Sequence, residues 1–345
     1  MQGGSIQAEL TAILLCSSLA YVVVKIVTPR IIELHLKWGL SRPDAHKPGN
    51  PLIAHSGGVP LFIGFIAALL IFTLLCSLDY SSLIKIIAVA SSAAIIFAIG
   101  FIDDKKILSG PTKTISSIFA IVPIAVLAYF EPVAIQWGRP IIPIIGRMRM
   151  TIIYWFLLPF SIAGAANAVN MLDVLNGIVP GTSIVIFAVL SIISLLRSDM
   201  LLFTITAFAL ATLLAYYPFN AYPARIFNGD SGSLFIGGLL GAIAVVFHLE
   251  FITLVLLLPH ILNGLFVLIS FRGFKEHREV KARPILVENG SLRSNPDPRA
   301  PLTLTRLILH LTGPATEKEV THVYIALECI AAVLAFISYL LTPWG

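Results

Sequence analysis

Long apolar runs alternate with short polar connections along the whole chain. The run from Ile86 to Ile102, IIAVASSAAIIFAIGFI, carries no charge, then meets two adjacent aspartates, Asp103 and Asp104, and three lysines, Lys105, Lys106 and Lys113. A helix rises about 1.5 Å per residue, so about 20 apolar residues cover the roughly 30 Å of a bilayer's hydrocarbon layer. Ten segments approximately meet that length, near 7–28, 58–76, 83–102, 114–131, 152–169, 178–196, 201–217, 232–248, 251–271 and 319–341. The pattern predicts an all-α fold: a polytopic integral membrane protein with about ten transmembrane helices in a single transmembrane domain over 1–345. The eighth span, with the seventh the shortest, places His248 and Glu250 in a tight turn at the membrane surface.

Composition agrees with the pattern. The 345 residues are 57% hydrophobic and only 12% charged, with mean hydropathy +0.93, against roughly 25% charged in soluble domains. Nothing resembles a nucleic-acid-binding module, so nucleic acid is not expected as a partner; the bilayer is. The first run has no basic segment or small-residue cleavage site ahead of it and reads as a retained span. Cys16, Cys76 and Cys329 all fall in predicted spans, which argues against a disulfide framework.

Charge placement gives the orientation. With ten spans both termini share one side, and the connections 29–57, 103–113, 170–177, 218–231 and 272–318 share the other. These five hold 17 of the 23 Lys and Arg. By the positive-inside rule they face the cytoplasm, which leaves both termini on the non-cytoplasmic side. The segment 272–318 is a long cytoplasmic loop, and within it LTLTRLILHLTGP predicts a short helix near 302–312 lying in the membrane interface.

The unusual polar residues gather on those same connections. Asp103 and Asp104 end the third span, and NAVNMLDVLNG (Asn167 to Gly177) ends the fifth. FNGDSGSLF (Phe227 to Phe235) opens the eighth, and FRGFKEHREVKARP (Phe271 to Pro284) follows the ninth. Each has a structural alternative. The aspartate pair could be solvated loop charge, the asparagines could be interhelical hydrogen bonders, Asp230 or Ser231 could cap a helix, and the basic run could hold lipid headgroups. Lys113 alone is an ordinary snorkelling lysine, and His277 reads as a solvated loop residue. Together they suggest a polar site at the inner membrane surface. Asn167, Asn170, Asp173 and Asn176 recur every third residue, which keeps neighbours close on a continuing helix. Asn and Asp oxygens suit Mg²⁺ bound together with substrate phosphates. The start of the eighth helix, with Ser231, Gly232 and Ser233, is suited to phosphate.

An aspartate pair after the third span, N-x-x-N after the fifth, G-D before the eighth and a long basic loop after the ninth, on ten spans, resemble the polyprenyl-phosphate N-acetylhexosamine-1-phosphate transferases. The resemblance covers most of the chain. RLILHLTGPATEKEV, Arg306 to Val320, looks more like the eukaryotic and archaeal UDP-GlcNAc:dolichyl-phosphate enzymes. KEHREVKARP, with one histidine, departs from the bacterial cell-wall branch, whereas Asp173 is similar to a bacterial N-x-x-D pattern. An archaeal enzyme between those branches fits both features.

The resemblance implies Mg²⁺-dependent transfer of N-acetylglucosamine-1-phosphate from UDP-GlcNAc to a polyprenyl or dolichyl phosphate, with release of UMP. Mn²⁺ is the alternative ion. It implies Asp103, Asp104 and Lys113 as catalytic residues and Asn170 and Asp230 as metal ligands, with Asn167, Asp173 and Asn176 at the nucleotide-sugar. Arg278, Lys281 and Arg283 stand, by position, for the family's diphosphate-gripping signature, which is not intact here. Lys47 and His55 correspond to the first cytoplasmic loop, near the nucleotide. The implied setting is an archaeal plasma membrane, or the endoplasmic reticulum in a eukaryote, with the site on the cytoplasmic face; a homodimer is compatible. Another UDP-N-acetylhexosamine is an alternative donor. In a different class, ten spans with buried polar groups also suit a transporter, although that reading expects acids near mid-span and two related halves.

Overall fold

The computed structural model describes residues 2–47, 49–136, 138–271, 282–288 and 290–344. Thirteen α-helices account for most of them: α1 (Gln2–Lys37), α2 (Gly58–Leu75), α3 (Tyr80–Lys106), α4 (Gly110–Ile118), α5 (Val122–Phe130), α6 (Thr151–Leu172), α7 (Ile178–Leu196), α8 (Met200–Asn220), α9 (Gly229–Phe247), α10 (Glu250–Leu256), α11 (Leu258–Phe271), α12 (Leu304–Thr312) and α13 (Glu317–Leu340). A 3₁₀ turn at Phe119–Ile121 joins α4 to α5, so Gly110–Phe130 runs as one span. Among the described residues nine helical segments are long and apolar enough to cross a membrane, and a tenth forms if α10 and α11 are one bent span. The all-α polytopic expectation is therefore met.

The ninth span departs from a straight rod. α10 and α11 meet at 70°, where the sequence reads LLLPH. Pro259 has no N–H to donate to the carbonyl four residues back, so the helix restarts there. The tight turn expected after the eighth span is present, with His248 in the left-handed region at φ 57°.

α9 occupies the centre, and nearly all its residues are buried. Small residues let its neighbours approach. A Cβ at Gly237 would lie 2.5 Å from the Ala165 carbonyl oxygen, and one at Gly241 2.6 Å from that of Ser161. Both carbonyls belong to α6, so this glycine stripe fixes the α6–α9 contact by backbone proximity. Large apolar side chains such as Leu74, Tyr129, Phe156 and Leu340 point outward, as a lipid-facing surface requires.

Among the described residues three two-stranded antiparallel hairpins sit in the connections: β1 (Ser41–Pro43) with β2 (Leu52–Ala54), β3 (Ile141–Ile142) with β4 (Gly146–Arg147), and β5 (Ile285–Glu288) with β6 (Ser291–Ser294). Alternate connections meet at opposite ends of the bundle, as ten crossings require. At one end the Gly57 amide donates to the Phe227 carbonyl at 2.9 Å, and the Leu304 amide donates to Asn263 Oδ1 at 3.0 Å. At the other, the Ile144 amide donates to the Leu341 carbonyl at 2.9 Å and the Arg197 guanidinium lies 4.3 Å from the Trp344 ring centroid.

Candidate active site

The first of these ends encloses a cavity of about 950 Å³, near the upper limit of ordinary small-molecule sites. Asp103, Asp104, Lys113, Asn167, Asn170, Asp173, Asn176, Asp230 and Arg283 all line it. With Arg42 and His55 of the first connection, which also line it, residues from five separate connections share one compartment. Arg278 and Lys281, like His277, lie outside the described residues.

The aspartate pair ends α3, and its two members face different partners. Asp103 Oδ2 accepts from Lys113 Nζ at 2.6 Å, while Oδ1 accepts the Leu108 amide as the chain leaves the helix. Lys113 comes from the first turn of α4, whose entry is set by Ser109 at the N-cap and Pro111 just inside. Its ammonium also donates to Asp230 Oδ1 at 2.7 Å. One half-buried cation therefore holds two carboxylates that their own helices would leave apart. The Asp230 side chain is about one quarter exposed to the cavity, which makes it the most accessible of the three.

Asp104 turns away from this cluster into α9. Its Oδ1 accepts the Asp230 amide at 2.7 Å and Oδ2 accepts the Ser231 amide at 3.2 Å, with His55 Nε2 3.2 Å from Oδ1. A carboxylate at a helix N-terminus meets both unpaired amides and the positive end of the helix dipole. This corrects two expectations. Neither Asp230 nor Ser231 caps α9, since the cap is supplied from α3, and Asn228 at the N-cap makes no side-chain cap bond. Of the positions read as suited to phosphate, the Ser231 amide is already taken by Asp104. The approach depends on Gly229, at φ +67°, where a Cβ would sit 2.7 Å from both Asp104 carboxylate oxygens.

The asparagine series also divides. α6 ends at Leu172, so only Asn167 and Asn170 share a helix. Asn167 donates to the Ala163 carbonyl at 2.7 Å within that helix, and Asn170 Oδ1 accepts from Ser233 Oγ of α9 at 2.7 Å. Asp173 follows in the cap and accepts from Asn228 Nδ2 at 2.8 Å. Removal from bulk water pushes its carboxyl up to about 7; the Asn228 bond opposes this and the Asp230 charge adds to it. Asn176 lies in the turn before α7, which Gly177 enters at φ +82°. Its backbone amide donates to Glu317 Oε1 at 2.7 Å and its side-chain amide to Asp44 Oδ2 at 3.3 Å. The helical continuation implied by the three-residue spacing is therefore absent, yet all four residues reach the cavity wall.

Several cavity residues were not marked by sequence reasoning. Arg42, whose Nη2 donates to the Asp104 carbonyl at 3.2 Å, counts in the sequence only toward orientation. His55, expected from its loop only to lie near the nucleotide, instead partners Asp104. Asn228 lies inside the FNGDSGSLF segment without an assigned role, and Ser233, read there as part of a phosphate-suited helix start, is buried behind the cavity wall against Asn170. Asn263 stands alone in an apolar span, and a lone intramembrane amide is itself a functional signal. Its side chain donates to the Met171 carbonyl at 2.8 Å and accepts the Leu304 amide, joining the end of α6 to the start of α12.

Carboxylate and amide oxygens from Asp103, Asp230 and Asn170, beside a lysine, form a hard-oxygen donor set of the kind that holds Mg²⁺ or Mn²⁺ with phosphate ligands. The fit rests on the open Asp230 carboxylate, which makes only one side-chain hydrogen bond among the described residues.

Comparison with known proteins gives consistent results. Residues 86–248 match the glycosyl transferase family 4 pattern. A protein of Saccharolobus solfataricus, provisionally named a UDP-N-acetylglucosamine–dolichyl-phosphate N-acetylglucosaminephosphotransferase, is 30% identical over 335 residues, covering 95% of this chain and 97% of its own length. A protein of Sulfolobus acidocaldarius with the same provisional name is 28% identical over 341 residues, covering 97% of this chain and 98% of its own. A Bacillus subtilis protein named as a probable undecaprenyl-phosphate N-acetylglucosaminyl 1-phosphate transferase is 26% identical over 246 residues, covering 70% of this chain and 65% of its own.

Proposed function

This chain belongs to glycosyl transferase family 4, and we propose that it transfers N-acetylglucosamine 1-phosphate from UDP-N-acetylglucosamine to a polyprenyl (dolichyl) phosphate, releasing UMP. Two relatives that match it over nearly their full lengths carry the name of that reaction. The observation that carries the reading is the Asp103–Lys113–Asp230 cluster, placed in a large cavity at the ends of membrane-spanning helices. A lipid acceptor must keep its tail in the bilayer while its phosphate meets a water-soluble nucleotide, and the cavity occupies that boundary.

The reaction brings a phosphate anion onto a diphosphate, so repulsion must be offset where charge develops. Mg²⁺, or Mn²⁺, held by Asp230 and Asn170 with support from Asp103, supplies Lewis-acid neutralisation of phosphate oxygens when bound. Lys113 offers a fixed ammonium between the two carboxylates. Arg283, exposed on the cavity wall, is placed for a diphosphate oxygen. Asp104 acts by holding the start of α9, and with it Asp230, in position. Asn176, Asp173 and Asn167 lie along the wall assigned to the nucleotide-sugar. A lipid monophosphate has a second pKa near 6 and is largely dianionic at neutral pH, so no base is required to ionise it. The excess of Lys and Arg on the connections at this end supports a cytoplasmic orientation with both termini on the opposite side.

The test is UMP release by the purified protein against a panel of UDP-N-acetylhexosamines, with and without lipid phosphate and Mg²⁺. Release that requires all three components, with preference for the N-acetylglucosamine donor, is expected. Flux across proteoliposomes without a covalent lipid product would instead indicate a transporter.

A further inference from the structure

Apart from the cluster around Lys113, the described residues contain one more group with metal-ligand chemistry. Asp44 and His46 lie in the loop after β1, and Glu317 is the first residue of α13. One ligand atom from each lies within 4.8 Å of the other two. Glu317 is only 4% exposed. Its Oε1 accepts the Asn176 amide, but Oε2 is buried with no hydrogen-bond partner. A carboxylate oxygen removed from water and given no donor is destabilising unless a cation meets it. Asp44, 3% exposed, faces the same point.

We propose that Asp44, His46 and Glu317 form a second divalent-cation site, one that takes Zn²⁺ in preference to Mg²⁺. An imidazole with two carboxylates is a Zn²⁺ donor set, and three protein ligands leave a coordination position for water. Mg²⁺ prefers six oxygen ligands and gains little from an imidazole. Lys47, paired with Asp44, is the cation that already balances part of this charge.

The site has a structural consequence. It links the first polar connection to the start of α13 across more than 270 residues of sequence, and both carboxylates are already bonded to Asn176. A cation there fixes Asn176 at the cavity wall. That last step rests on the transferase reading; the metal site does not.

The probe is Zn²⁺ alone, measured by equilibrium dialysis and elemental analysis on untagged, detergent-purified protein in a large excess of Mg²⁺. His46→Ala is expected to bind one Zn²⁺ fewer than the wild type. Glu317→Gln keeps the size of the side chain, and its Zn²⁺ affinity is expected to fall at least about tenfold, the lower figure for losing even an outer-shell partner. Asp230→Asn is expected to retain the ion, and Zn²⁺ should raise the melting temperature of wild type but not of His46→Ala. If folded His46→Ala binds as much Zn²⁺ as wild type, or if Asp230→Asn is the variant that loses it, the proposal is wrong. Should His46→Ala not fold, undiminished affinity in Glu317→Gln refutes it by itself. None of these readouts uses turnover, so they stand or fall separately from the transferase reading.

Discussion

Asp104→Asn tests the division of roles within the aspartate pair. The substitution preserves shape but leaves one acceptor oxygen where the structure uses two, for the Asp230 and Ser231 amides. The new NH₂ group opposes one of those N–H groups in a position only 2% exposed. A buried donor left without a partner costs about 1–3 kcal/mol. Loss of the negative charge at the start of α9 adds about 0.3–1 kcal/mol. The expected destabilisation is therefore roughly 1–4 kcal/mol. Asp103→Asn should be milder, because Asn still accepts the Leu108 amide and Asp230 still holds Lys113. Thermal unfolding in detergent, read beside UMP release, separates the two. Asp104→Asn should melt several degrees below wild type, whereas Asp103→Asn should melt near wild type with turnover greatly reduced. If Asp104→Asn melts like wild type yet releases no UMP, its charge acts on substrate and the reasoning fails. A larger melting loss in Asp103→Asn would refute it equally.

Gly229→Ala should destabilise by at least about 1–2 kcal/mol from its left-handed backbone alone; because its Cβ meets both Asp104 oxygens, the double variant with Asp104→Asn should fall short of additivity in a double-mutant cycle. Lys113→Met leaves Asp103 and Asp230 facing each other without a cation, and turnover should fall by roughly 10²-fold or more, as for loss of a positioned charge donor; steady-state kinetics at saturating nucleotide-sugar would show it. The Asp173 carboxyl titrates near 7 in the fold but near 3.9 when unfolded, so between these values the unfolded chain is the more ionised and stability contributed here falls as pH rises. Asp173→Asn should remove that slope. Its melting temperature relative to wild type, in metal-free buffer, should rise from pH 5 to pH 8, and a constant difference would show that Asp173 is not raised.

The spans are legible in the sequence because lipid imposes a length and a composition that few other structures share. All ten predicted segments correspond to helices, with ends shifted by a few residues and α1 extended to Lys37. The break in the ninth span is not among the expectations: Pro259 sits at it, but Pro29, Pro159 and Pro218 lie inside unbroken helices, so proline alone does not announce it. The hairpins are not, because strands of two to four residues such as Ser41–Pro43 have no periodicity to read. At the site, residue types on a shared side of the membrane are enough to gather Asp103, Asn170 and Asp230 into one cavity. Partnership is harder. The spacing of Asn167, Asn170, Asp173 and Asn176 suggests one helical stripe, but the helix ends at Leu172, and Asn176 is placed instead by the turn into Gly177 and by tertiary bonds to Asp44 and Glu317. His55 and Glu317 come from connections far away in sequence, and although the first loop marks His55 by position, no local pattern gives either residue its partner.

Adjacent carboxylates invite a reading as a pair, and the geometry gives a reason to separate them. Successive residues on a helix point about 100° apart, so at the last turn of α3 one aspartate can face α4 while the other faces α9. Asp103 meets Lys113, and Asp104 meets the amides of Asp230 and Ser231. Lys113 then returns to the Asp230 side chain. Three helix ends are thus closed into a ring of charged hydrogen bonds, in which Asp230 is held once by its backbone and once by its carboxylate. Such a ring positions an ionisable group without relying on a loop, and it leaves the open face of Asp230 toward the cavity. On this view the two aspartates do unlike work because a helix cannot point neighbours the same way, and a site at a membrane boundary gains from that difference: one carboxylate secures the frame while the other remains with the chemistry.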